Sequence, residues 1–146
     1  MRALRRAAAR GVAVRLVLQG KPDYRIAALA ARVIYEDLMR HGVRIFEYTP
    51  AFLHAKVAVA DDNWATVGSS NIDPLSLLLN LEANLVVRDA GFTGVLAAEI
   101  DRAVAASREV RGDDIITRGW LGLGRRAFVA WAAYVYLRVA GVSGRY

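Results

Sequence analysis

The stretch His54-Ala-Lys-Val-Ala-Val-Ala-Asp61, continued by Gly68-Ser-Ser-Asn71 and then by Asn80-Leu-Glu82, decides the reading of this chain. Ala55–Ala60 has the composition of a strand, Asp61-Asp62-Asn63 is turn chemistry, and Trp64–Gly68 returns as a second strand. Side chains two apart on a strand point to the same face, so His54 and Lys56 are expected to project together, and Ser69 and Asn71 to do the same nearby. If the two segments are sheet neighbours, an imidazole, an ammonium, a hydroxyl and an amide converge on one spot. Such a set suits a phosphodiester. Lysine neutralises phosphoryl oxygens, Ser and Asn donate hydrogen bonds to them, and the imidazole can attack phosphorus. That attack needs an acceptor on the other ring nitrogen, and Glu82 is the candidate. The plainer reading, a partly buried strand with incidental polar residues, would suffice for a lone His-x-Lys.

Outward from this stretch, helices and strands alternate. Arg2–Arg10 has helical composition and ends at Gly11, a natural C-terminal stop. Val12–Leu18 reads as a strand covered on both faces, and Gln19–Asp23 as a loop. From Tyr24 to His41 the apolar residues recur at helical spacing until Gly42. Val43–Tyr48 is the next strand. Beyond the hairpin, Gly68–Asn80 reads as a loop with a short helical turn and Leu81–Arg88 as a strand. Asp89 caps a helix from about Gly91 to Ser107 with Phe92, Leu96, Ile100 and Val104 on one face. The alternation predicts an α/β fold, a mixed β-sheet flanked by helices. Residues 1–110 are expected to form one domain and 111–146 a tail, with the polar run Arg111–Asp114 at the boundary.

The chain has 146 residues, 55% hydrophobic and 23% charged, enough to bury a core and too apolar to stay disordered. It contains no cysteine, which excludes disulfides and thiolate chemistry. With two histidines and no cluster at ligand spacing, no metal is expected. Met1–Arg10 is basic, but no apolar segment with a cleavage site follows it, so no signal peptide is expected. The net charge of +6 is uneven: residues 1–60 carry 11 Lys and Arg against 4 Asp and Glu, 61–101 carry 1 against 7, and 102–146 carry 8 against 3. A basic front and tail suit an anionic partner, either a nucleic acid backbone or an acidic lipid surface, although scattered surface arginines give the same count.

In the tail, Ala127–Leu137 is an uncharged, mostly apolar run bounded by Arg125-Arg126 and Arg138 and containing Trp131, Tyr134 and Tyr136. A spanning helix needs about 20 apolar residues, so this run is too short to cross a bilayer. It reads as a C-terminal apolar helix that either lies in the membrane interface or packs on the core.

The pattern His54-x-Lys56-(x)4-Asp61 with Gly68-Ser69 beyond it resembles the HKD motif of the phospholipase D superfamily, and Asn71 and Glu82 match as well. Residues 68–82, Gly-Ser-Ser-Asn-Ile-Asp-Pro-Leu-Ser-Leu-Leu-Leu-Asn-Leu-Glu, are similar to the second motif region of bacterial cardiolipin synthases, in the branch with Asp-Pro-Leu-Ser. Other branches carry an arginine where this chain has Leu75. The resemblance runs from about residue 3 to 108. It implies a phospholipase-D-type half-domain with His54 as nucleophile through a phosphohistidine, or as the acid/base partner. It implies Lys56, Ser69 and Asn71 as phosphate ligands, Glu82 as the orienter of His54, and Asp61 as a supporting residue at the turn. No cofactor is implied.

The family's synthases carry two such motifs, and this chain has one. Its other histidine, His41, closes a helix and reads as a C-terminal cation. The resemblance therefore implies a second HKD half, supplied by a missing N-terminal half or by a homodimer partner. The implied reaction is phosphatidyl transfer, with phosphatidylglycerol as the anionic phospholipid substrate and cardiolipin as product. The implied location is the cytoplasmic side of a bacterial inner membrane, held peripherally at the membrane surface. A homodimeric phosphodiesterase acting on nucleic acid is the less favoured alternative, and an inactive truncated half-domain is a third.

Overall fold

The computed structural model describes residues 1–21, 34–70 and 81–112. The helical spacing read over residues 24–33, the loop over 71–80 with Asn71, and the C-terminal apolar helix lie outside the described residues. The elements in order are α1 (Arg2–Ala9), β1 (Arg15–Gln19), α2 (residues 34–40), β2 (Arg44–Tyr48), β3 (Val57–Ala60), β4 (Trp64–Gly68), β5 (Asn84–Val87), α3 (Ala90–Ala105) and β6 (Ser107–Glu109). The described residues divide into two compact units, 15–21 with 46–70 and 81–109, and 2–14 with 34–45 and 110–112.

In the second unit, α1 and α2 stop by the same device. Gly11 donates to the Ala8 carbonyl at 2.9 Å and Val12 to Ala7 at 3.1 Å; Gly42 donates to Met39 at 3.0 Å and Val43 to Leu38 at 3.2 Å. Both glycines sit at φ +89°, the left-handed geometry that a Schellman cap requires and that side chains resist. This cap explains why β1 starts at Arg15 and not at Val12: the Val12 N–H is already spent on the helix end. Tyr35, Leu38, Val43, Ile45 and Val110 form the buried apolar residues here. Arg5 and Asp37 pair at 2.8 Å on the half-exposed side.

The first unit holds two three-stranded sheets, β1-β2-β6 and β3-β4-β5, where the sequence pattern predicted one mixed sheet. The β1-β2-β6 sheet is itself mixed. Arg44 donates to Val14 at 2.9 Å and Gly20 to Tyr48 at 2.8 Å, partners that advance together, so β1 and β2 run parallel. β6 pairs antiparallel with β2, Glu47 facing Arg108, and their side chains form an ion pair at 2.6 Å. β6 escapes the sequence reading, which ran the last helix on to Ser107; three residues are too few to display an alternation.

The β3-β4-β5 sheet is antiparallel throughout, with Val57 opposite Val67 and Gly68 opposite Asn84. The hairpin loop is Asp61-Asp62-Asn63, as its composition predicted, and Asp61 takes φ 52°, a left-handed conformation that Asp tolerates better than most residues. α3 packs on β1, β3, β4 and β6. Asp89 caps it, its carboxylate accepting the Phe92 N–H at 2.7 Å. Of the expected apolar stripe, Leu96, Ile100 and Val104 are half-buried as read, but Phe92 is 43% exposed and the fully buried residue of the first turn is Thr93. No helix among the described residues is long and apolar enough to cross a membrane.

Candidate active site

The segment carrying His54 leaves the C-terminal end of β2, the end of the parallel strand pair where open α/β sheets place their sites. His54 and Lys56 are not on β3, as the strand reading expected, but on the irregular chain just before it. The ladder begins one residue later because its last bond, from the Gly68 N–H to the Lys56 carbonyl at 3.0 Å, closes at Lys56. His54 is exposed and Lys56 half-buried. The His54 ring stacks on Phe52, centroids 6.0 Å apart with 28° between planes. One residue before it, the Leu53 N–H donates to the Gln19 side-chain oxygen at 3.0 Å.

Lys56, just before β3, lies beside Gly68 of β4, which in turn faces Asn84 of β5, at one end of the β3-β4-β5 sheet. Strands approach there more closely than a side chain allows. A Cβ on Gly68 would come within 2.5 Å of the Ala83 carbonyl oxygen and 2.6 Å of the Asn84 carboxamide carbon. Just past Gly68, Ser69 donates its N–H to the Ala83 carbonyl at 3.0 Å, but the return bond from the Ala83 N–H goes to the Ser69 hydroxyl at 3.1 Å, not to its carbonyl. The hydroxyl thereby replaces a backbone acceptor and turns the chain out of the ladder. Its own proton goes to the Glu82 carboxylate.

Glu82 is thus held by Ser69, and no hydrogen bond joins it to His54 among the described residues. Asp61 sits at the opposite end of β3 from Lys56, five residues and roughly 17 Å of strand away, in the hairpin turn. His41 follows the end of α2, its ring nitrogen 2.7 Å from the Asp37 carbonyl. Two partners escaped the sequence reading. Asn84 donates to the Ser70 hydroxyl at 2.6 Å, and Gln19 reaches Leu53. The signal for Gln19 was available, a lone amide after the apolar run Leu16-Val-Leu18. No group of three His, Asp or Glu is placed to hold a metal among the described residues.

This fold is that of the phospholipase D class. The crystal structure of the phospholipase D family member Nuc from Salmonella typhimurium matches it with a TM-score of 0.67, covering 76% of this chain and 72% of that one, at 21% identity. The family model described as cardiolipin synthase, PLD-like domain, matches residues 1–104, and the chain belongs to that family. It is similar to cardiolipin synthase B of Escherichia coli K12, 47% identical over 124 residues, which are 84% of this chain and 30% of that protein. Cardiolipin synthase B of Salmonella typhimurium is 54% identical over 96 residues, 66% of this chain and 23% of that one. Cardiolipin synthase A of Pseudomonas aeruginosa is 41% identical over 114 residues, 78% of this chain and 23% of that one. The chain therefore spans less than a third of the length of these relatives.

Proposed function

We propose that this chain is one half of a phosphatidyltransferase site that makes cardiolipin from phosphatidylglycerol. The observation that carries the reading is the bond from the Gly68 N–H to the Lys56 carbonyl, which fastens the His-x-Lys segment to the Gly-Ser segment at one end of a sheet. In this reading His54 attacks the phosphorus of one phosphatidylglycerol. The P–N bond forms, the P–O bond to the glycerol headgroup breaks, and glycerol leaves with a proton from an acid on the second half. A hydroxyl of a second phosphatidylglycerol then attacks the phosphohistidine and gives up its proton to the same group. The P–N bond breaks, cardiolipin is released and His54 is restored.

Lys56, Ser69 and Asn71 bind the phosphoryl oxygens, whose negative charge grows toward the transition state. Glu82 orients the His54 ring once phosphate draws the Ser69 hydroxyl away from it, and Asp61 supports the site only through the hairpin. A second half completes the centre. The exposed apolar side chains of β5, Leu85 at 66% and Val86 at 54%, support this. The protein works peripherally on the cytoplasmic face of a bacterial inner membrane, where its substrate lies.

The test is cardiolipin formation by the purified chain in phosphatidylglycerol vesicles, with His54→Ala beside it. Product that disappears in the variant means that two copies build the site. Product from neither, restored for the wild type alone by adding the first-motif half of a cardiolipin synthase, means that the chain is one half of a split site. Product from His54→Ala at the wild-type rate sinks the assignment.

A further inference from the structure

The segment 49–56 that carries His54 and Lys56 has no secondary structure of its own. Among the described residues, the bond that reaches into its middle comes from a side chain of the other sheet: Gln19, last residue of β1, accepts the Leu53 N–H at 3.0 Å. The orientation of that amide is settled by its partner, because the reverse placement would aim an NH2 group at an N–H. The Gln19 nitrogen is consequently buried with no acceptor in reach among the described residues. A buried donor left without a partner costs stability, so Gln19 is a poor choice for holding the fold together. It is a good choice for holding one backbone position beside His54.

We infer that Gln19 is a positioning residue, which fixes Leu53 and through it the placement of the His54 ring. This rests on the proposed role of His54 as nucleophile. The Leu53 bond fixes the backbone immediately before His54, and the neighbouring Phe52 ring stacks against the imidazole. A nucleophile displaced by a fraction of an ångström loses most of its advantage, which is the reason such a fastening is worth a buried, unmet donor.

The experiment compares the full chain with Gln19→Leu, which removes the acceptor, and Gln19→Glu, which keeps an oxygen where the Leu53 N–H needs it. Three readouts apply. Deuterium exchange at the Leu53 amide should become about fivefold to tenfold faster in Gln19→Leu and stay protected in Gln19→Glu. The His54 ring resonances should shift in Gln19→Leu, while its melting temperature stays near the wild-type value, since the loss of the unmet Gln19 donor offsets the Leu53 N–H left unpaired. Cardiolipin formation should lose about 10- to 100-fold in kcat at unchanged KM in Gln19→Leu, with recovery in Gln19→Glu.

Unchanged Leu53 exchange, or faster exchange with unmoved His54 resonances, overturns the inference. So does a Gln19→Leu variant that melts early and loses kcat and KM together, which is the mark of a structural role. If the wild type makes no cardiolipin even with the first-motif half, it is the transferase reading that fails, and the exchange and resonance arms still decide what Gln19 does.

Discussion

The Ser69 hydroxyl donates to the Glu82 carboxylate across thirteen residues of sequence, while accepting the N–H of Ala83 at 3.1 Å. One small side chain thus ends a sheet ladder and holds a carboxylate at the same time. Ser69→Ala removes both bonds. The site is exposed, so stability should fall by no more than about 1 kcal/mol, whereas cardiolipin formation should drop about 10- to 100-fold. Ser69→Thr, which keeps the hydroxyl, should retain most of the activity. If the two residues act as a unit, Glu82→Gln on top of Ser69→Ala adds little. Full activity in Ser69→Ala would remove both from the site.

Gly68 is required by space. A methyl group there meets the Ala83 carbonyl at 2.5 Å as well as the Asn84 side chain. Gly68→Ala should destabilise by about 1–3 kcal/mol, read from the midpoint of urea unfolding. Pairing it with Asn84→Ala removes the side-chain clash and leaves the backbone one, so recovery should be partial. Complete recovery would mean that Asn84 alone excludes a larger residue.

Thr93 is buried at 1% exposure on α3, and its hydroxyl has no partner among the described residues. Thr93→Val keeps the shape and removes the unmet group, so thermal unfolding should be unchanged or shifted upward by up to about 1 kcal/mol in stability. A clear loss of stability would show that the hydroxyl is bonded, for instance to a buried water.

Local chemistry accounts for much of the architecture. The stops at Gly11 and Gly42, the Asp61-Asp62-Asn63 hairpin and the Asp89 cap are all short-range events, each completed within a few residues. The hairpin places Lys56 across from Gly68, which brings the His-x-Lys and Gly-Ser segments together. Periodicity served less well where the structure is short or irregular. β6 is three residues long, and at the first turn of α3 it is Thr93 that is buried and Phe92 exposed, although Leu96, Ile100 and Val104 follow the stripe.

By itself the sequence determined the family motif, the residue types able to handle a phosphodiester, and most element ends, because caps, turns and hairpins depend on neighbours in the chain. Only the tertiary structure decided that the strands divide between two sheets, that Glu82 rests on Ser69, and that Gln19 holds Leu53. These are contacts between residues 13 and 34 positions apart, formed when separate strands are brought side by side. No local preference encodes them, since they depend on which surfaces α3 and the two sheets bury together.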